Sequence, residues 1–558
     1  MLAALAAAAA LAAPAPAAQA QTAGSAEPGA GRTLTVAPPS GTAPPGRRRT
    51  ASDITRRALR HPRMVRLRAR HPEATTRSFL LPENRWQVSV YDRGGGRRRE
   101  VGQVILDDRT GRVLEAWTGV QVQWPMARGY AGAFGRRASA VYVWLPLLVL
   151  FLLPFLRPPY RLVHLDLAAV ALLSVSYAFF NAAEIGASVP LAYPPLIYLL
   201  IRMLLLARSR GRGAGGEPPP LRTLVGPDFL GLAIVFLLGF RLGLNITSSN
   251  VIDVGYASVI GADLLAHGEP VYGNFPPSNA HGDTYGPANY LAYVPFELIA
   301  PWSGAWDDLP AAHAAAFTFD LACLGGLWLA GRRLRGPRLG LLLAYLWLAC
   351  PFTLLAVNSG SNDALVGALV LGAFLLARRP LARGALIGVA GLTKFAPLAL
   401  APLFAAHGGG GRAAARTLAG TGAATALLLA VVIATDGGLG GLWERAIGYQ
   451  AGRDSPFSVW GWYGLPGPQL AVQVAAVALA LAVAFVPRRR DDVSLAALAA
   501  AVLLALQLGV SHWFYLYVVW FLPLVLIAGL AAHGEPVTGR AAGRARSTPP
   551  AAAPGRSG

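Results

Sequence analysis

The sequence predicts a polytopic α-helical membrane protein preceded by a small exported α+β module, and three observations carry that prediction. Hydrophobic residues make up 54% of the 558 positions and mean hydropathy is +0.45. Apolar runs of about 17 to 25 residues, the length that crosses a bilayer, recur along the chain. Arginine clusters sit at the joints between those runs in alternating order, as cytoplasmic loops do. Residues 85–120 follow a different pattern, alternating apolar and polar positions broken by turn signals.

Residues 1–20 form a short apolar run ending in Ala18-Gln19-Ala20, a cleavage-site pattern that lacks a basic start, so a signal segment and a mis-called start codon both stay open. The Pro, Gly and Ser-rich residues 21–51 read as a disordered linker. Residues 52–120 read as the exported module. A helix is expected after an N-cap at Ser52 or Asp53, and the stretches RWQVSVYD, EVGQVILDD and VLEAWTGVQV alternate as antiparallel strands around the turns GGGRRR and DRTG.

Three additional transmembrane helices are expected over 139–207, at 139–156, 164–183 and 189–207, followed by a cytoplasmic linker at 208–227. The core then runs over 228–530, with spans near 228–245, 311–331, 338–357, 361–377, 417–435, 468–486, 493–510 and 513–530. Residues 290–302 are apolar but short and Pro-interrupted, which suits a re-entrant or interfacial piece. Residues 385–406 fit a hairpin of two half-spans turning at Lys394 and Pro397. Together these make about 11 to 13 transmembrane segments, and residues 531–558 form a disordered cytoplasmic tail. The clusters at 157–161, 208–216, 332–338, 377–384 and 487–490 all become cytoplasmic in this arrangement. The protein is then a multi-pass plasma-membrane protein with its module and the loop after residue 250 on the extracytoplasmic side.

The net charge of +21 comes largely from those joints, so topology and anionic lipid explain it and nucleic-acid binding is excluded. Cys323 and Cys350 lie within apolar runs and offer neither a metal spacing nor a disulfide framework. No metal constellation and no cofactor motif stands out, and no sequence repeat suggests paired transporter halves.

The stretch from Asn250 to Trp302 carries Asp253, Asp263, Glu269, Asp283 and Glu297 without one Lys or Arg. Asp253, at a helix start on the outer side, suits a general base taking a proton from a hydroxyl, or else a simple helix cap. Asp263 is the alternative base. Lys394, the only lysine in the chain, lies in an apolar segment, where it either binds a phosphate or snorkels to the interface. Residues 358–363 and His512 fall on the same outer face. Trp460, Trp462 and Tyr463 suit sugar stacking or an aromatic belt. A transporter or flippase of a lipid-linked or envelope precursor is the competing function class, since it too would place charges in the membrane.

Two resemblances sharpen this reading. Residues 53–120, ending in RTGRVLEAWTG, resemble a PepSY-like module. The series Asp253, Tyr256, GADLLAHGEPVY (261–272) and TYGPANYLAYVPFELIAP (284–301), followed by RGALIGVAGLTKFAPLALAPL (383–403) and GVSHWFYLYVVWFLPLVLIA (509–528), is similar to polyprenyl-phosphate-sugar-dependent glycosyltransferases of the GT-C fold, especially the mannosyltransferase-like family 87. Gly286 departs from the pattern, standing where the family has the first proline of Y-P-P. The resemblance implies a GT-C-like core and transfer, with inversion, of a mannose-like sugar from a polyprenyl-phosphate donor to a glycan or glycolipid hydroxyl at the outer membrane face. Asp253 would be the base, Lys394 and His512 would bind the donor phosphate, and Tyr256, Tyr285, Asn358 and Asp363 would contact substrate.

Overall fold

The computed structural model describes residues 35–36, 41–92, 99–129, 134–211, 218–408, 410–453, 455–487 and 491–538. The expected signal segment, most of the linker and the end of the tail lie outside these residues.

The N-terminal module is built from two helices, α1 (Ala51–Leu59) and α2 (Pro62–Arg70), and an antiparallel sheet. Its strands are β1 (Thr35–Val36), β2 (Thr75–Leu81), β3 (Arg85–Asp92), β4 (Arg99–Asp107) and β5 (Val113–Thr118), in the spatial order of the sequence. The alternation in β3 and β4 puts Trp86, Val88 and Val90 opposite Leu106, Val104 and Gly102. That face is buried under Ile54, Ala58, Met64 and Leu67 of the two helices. The cap of α1 is Thr50, whose side chain accepts from the Asp53 amide, two positions ahead of the first expected cap, Ser52. Part of the linker is also ordered. The amides of Arg48 and Arg49 donate to the Asp108 carboxylate, and Thr35–Val36 pairs with β2.

Among the described residues, six helices are long and apolar enough to cross a membrane, or seven if one bent pair counts as a span. They are α4 (Leu162–Asn181), α5 (Ile185–Gly211), α6 (Pro227–Thr247), α9 (Pro310–Arg335), α15 (Gly411–Asp436) and α17 (Asp492–Gly509), while α10 (Pro337–Ala349) and α11 (Pro351–Asn358) form the pair, bent by 59°. The expected 11 to 13 segments are not reached on length, because proline and polar turns divide several apolar runs. Pro351 opens a new helix where one span was expected at 338–357, since its missing N–H and ring interrupt the helical ladder. The shorter helices include α3 (Val141–Leu152), α7 (Asp253–Ala266), α8 (Pro287–Glu297), α12 (Asp363–Leu375), α13 (Pro380–Gly391), α14 (Ala401–Ala406), α16 (Pro466–Ala482) and α18 (Val518–Ala531).

The segment holding Lys394 folds back on itself. Arg383 in α13 donates to the carbonyl of Ala377 before it and to that of His407 after α14, tying both feet of a hairpin together. Leu398 packs where a Gly391 side chain would stand.

The basic joints gather at one end of the molecule. Arg161 reaches His533, Arg335 donates to the Ala531 carbonyl, Arg333 to that of Leu375, and Arg210 pairs with Asp491 at 2.5 Å. Strand β6 (Pro220–Thr223) pairs in parallel with β7 (Gly534–Thr538) at this end. The start of the expected tail and the end of the expected linker thus make a two-stranded sheet. At the opposite end stand the start of α7, the turn of the Lys394 hairpin, residues 436–453 and 455–463, and the module. Contacts between Tyr272 and Asp436, His281 and Tyr449, and Trp124 and His512 link them.

Candidate active site

Asp253 is the first residue of α7, and backbone contacts fix where that helix begins. The amides of Asn250 and Ile252 donate to the carbonyls of Asn358 and Ser359 at 3.1 and 3.0 Å. Gly255 completes the contact: a Cβ there would stand 2.2 Å from the Gly360 carbonyl oxygen, so only glycine lets the helix seat on this turn. The turn at 358–362 leads directly into Asp363, which brings two carboxylates from distant sequence to one place.

The hairpin delivers Lys394 to the same place. Its turn accepts hydrogen bonds from the amides of Gly286 and Ala288 through the Thr393 and Leu392 carbonyls, at 3.3 and 3.0 Å. The departure at Gly286 now has a physical reason. A Cβ at this position would lie 2.0 Å from the Leu392 oxygen, and proline would also remove the amide that binds Thr393. The Lys394 ammonium lies 2.6 Å from Asp363 Oδ1, with the two side chains 10% and 1% exposed. Trp520 Nε1 donates to the same oxygen at 2.8 Å. The rings of Tyr285, Tyr517 and Trp520 surround the ammonium at 5.4, 5.4 and 5.3 Å. Lys394 therefore does not snorkel; it is held in an aromatic box by a buried counter-ion.

Asp253, Tyr285, Asp363, Lys394 and His512 line one cavity of about 930 Å³. Arg453, which the sequence reading did not single out, lines it too. Its guanidinium carbon stands 5.6 Å from the Trp124 ring, and among the described residues it makes no ion pair while its Nε has no hydrogen-bond partner. Burial raises the Asp253 carboxyl above its ordinary value, Arg453 opposes that shift more than any other charge, and nearby Asp363 adds to it. Burial, with Arg453 and Lys394 acting in the same direction, pushes the His512 imidazole well below its ordinary value. A neutral His512, its Nδ1 2.9 Å from Ser455 Oγ, can hydrogen-bond a ligand without supplying a positive charge.

Residues 284–511 of the chain match the family model described as Glycosyltransferase family 87. The chain is a membrane glycosyltransferase. No curated protein and no solved structure gives a match. The matched segment of this glycosyltransferase contains Tyr285, Asp363, Lys394 and Arg453, while Asp253 reaches the cavity from upstream of the match and His512 from just beyond it.

Most of the other residues singled out in the sequence do not line the cavity. Tyr256 is 1% exposed, stacks on Trp306 at 4.6 Å and bonds Ser278, so it fixes α7 to its loop and is not placed to contact substrate. Asn358 is fully buried and donates to the Ser248 carbonyl, joining α11 to the end of α6. Asp263 lies ten residues along α7, about 15 Å from Asp253 by helical rise, and pairs with His267 at 3.3 Å. It is in no position to replace Asp253. Asp363 does line the cavity, but as the counter-ion of Lys394. Trp460 donates to the Leu508 carbonyl, Trp462 packs on Gly186 and Tyr463 is exposed, all outside the cavity. One signal for Arg453 was available in the sequence: Arg445 and Arg453 stand in the loop expected outside, where arginine is least expected.

Proposed function

We propose that this glycosyltransferase moves a mannose-like sugar from a polyprenyl-phosphate donor to a glycan or glycolipid hydroxyl at the outer face of the plasma membrane. The observation that carries this reading is the joint placement of Asp253, Lys394 and Arg453 on one cavity at the end opposite the basic joints. Positive joints favour the cytoplasm, which supports an outer-side position for the cavity. The family match supports the reaction class, and the GT-C-like core and the inverting course follow from the resemblance of the motifs.

In the reaction, the Asp253 carboxylate takes the proton of the acceptor hydroxyl as its oxygen attacks the anomeric carbon. The bond from that carbon to the phosphate oxygen breaks, and its electron pair leaves with the polyprenyl phosphate. Charge grows on the departing phosphate, where Arg453 offers a forked set of donors and Lys394 a point charge already fixed in position. His512 and Tyr285 add hydrogen-bonding and ring surface beside them. Burial raises the Asp253 carboxyl above that of an exposed aspartate, which makes its carboxylate the stronger base.

The test is Asp253→Asn, which keeps the shape of the side chain and removes its basicity. With decaprenyl-phosphate mannose as donor, transfer should fall by a factor of about 100 to 10,000 with folding unchanged. Full activity in this variant would place the base elsewhere.

A further inference from the structure

Part of the wall of this cavity comes from the N-terminal module. Arg63 of α2 and residues 112–117, which include most of β5, line the same cavity as Asp253 and Lys394. Strand β5 is the edge of the sheet, hydrogen-bonded only to β4 among the described strands, so one side of its backbone is left for other partners. On that edge the Ala116 carbonyl already accepts from Arg63 at 2.7 Å. Trp117 is half-buried, with its indole nitrogen held by Glu115 at 2.8 Å and the guanidinium carbons of Arg63 and Arg128 at 5.4 and 5.8 Å from its ring. The wall therefore combines an indole fixed in orientation, a backbone edge, and Arg63, Arg112 and Arg128 against the single carboxylate of Glu115.

That chemistry suits a saccharide. The C–H face of a pyranose ring packs on an indole, hydroxyls pair with a strand edge, and guanidinium forks bind phosphate or carboxylate in two-point fashion. The donor phosphate has Lys394 and Arg453 from the helical part of the chain, which leaves the module's arginines to the other substrate. We infer that the module supplies the acceptor subsite: an anionic glycan lies along β5 with Trp117 under one sugar ring and Arg63 and Arg112 on its acidic groups, so that its reactive hydroxyl reaches Asp253. The inference rests on the proposed transfer reaction and adds the acceptor's charge class and the residues that select it.

The test uses the full chain in lipid nanodiscs with two probes, methyl α-mannoside 6-phosphate and neutral methyl α-mannoside. Without donor, the wild type should bind the phosphorylated probe about tenfold more tightly. Trp117→Ala should weaken both probes by about tenfold, and Arg112→Glu, an exposed position that leaves the Arg63 bond intact, should erase the preference. Trp117→Phe, which keeps a ring, should recover part of the loss and separates stacking from a misfolded module. With decaprenyl-phosphate mannose added, the loss in Trp117→Ala should appear in the KM for the acceptor far more than in that for the donor. No charge preference in the wild type, or unchanged binding in both variants, overturns the subsite. Expected binding without any transfer by the wild type would instead refute the donor and reaction proposed above and leave the subsite standing. Transfer with an unaltered acceptor KM in Trp117→Ala would do the reverse.

Discussion

Removing Lys394 tests whether this residue serves the reaction or only the fold, and the geometry says how to separate the two. Lys394→Ala leaves Asp363 as a lone carboxylate, 1% exposed and held, among the described residues, otherwise only by Trp520. Breaking a buried pair by deleting one partner costs about 3–5 kcal/mol. At about 1 °C per kcal/mol for a chain of 558 residues, unfolding should move down by about 3 to 4 °C. Turnover per folded molecule should fall about a hundredfold if the ammonium stabilises the leaving phosphate. The double variant Lys394→Met/Asp363→Asn removes both charges, so most of the thermal loss should return because no buried charge is stranded. Its turnover should stay low. The assay pairs thermal unfolding in nanodiscs with sugar transfer from decaprenyl-phosphate mannose, normalised to folded protein. A double variant with wild-type turnover would show that Lys394 is a structural counter-ion and refute its assignment to the phosphate.

Three further outcomes follow from the same geometry. Arg453 is the charge that most lowers the Asp253 carboxyl, so Arg453→Gln should move the acidic limb of the kcat/KM profile to higher pH: the base then protonates sooner as pH falls. An unmoved limb would take Asp253 out of that role. Gly286→Ala sets a methyl 2.0 Å from the Leu392 oxygen and should destabilise the hairpin turn by about 1–3 kcal/mol, read as a lower unfolding temperature with reduced transfer. Asp263→Asn removes only a helix-surface pair with His267 and should leave transfer within about twofold of wild type, measured beside Asp253→Asn; equal losses would move the base.

The fold could be read from the sequence where one physical signal dominated. Alternation at 85–118 gave strands, and apolar run length marked α4, α5, α6, α9, α15 and α17. The reading was weaker where a run long enough for one span divides, as at Cys350-Pro351, because hydropathy counts residues and does not see a lost backbone hydrogen bond. In the site, Asp253 and Lys394 could be found because a carboxylate at a helix start and a lysine in an apolar run are each conspicuous alone. Tyr256 and Asn358 sit beside the same motifs but turn into the core, and only tertiary contacts reveal which way they face. Arg453, Trp124 and the β5 wall were hidden because each gains its meaning from a partner more than fifty residues away.

The distribution of charge explains why Lys394 and Arg453 should not be interchangeable. Within the helical part, three buried ion pairs stand out: Arg241 with Asp320 at 2.5 Å, Arg202 with Asp166 at 3.1 Å, and Lys394 with Asp363 at 2.6 Å. Such pairs add little net stability over apolar packing, but separating them is expensive, so they lock the helices that bear them. Lys394 belongs to this set and presents a dipole to the cavity, its charge largely answered by Asp363. Arg453 has no ion pair among the described residues, and it lines the cavity as the charge that acts most strongly on Asp253. An arriving phosphate would gain net attraction from Arg453, while Lys394 would contribute orientation and a donor whose position is already fixed. Donor affinity should therefore depend chiefly on Arg453, and the rate of the step in which phosphate charge develops should depend on the preorganised Lys394.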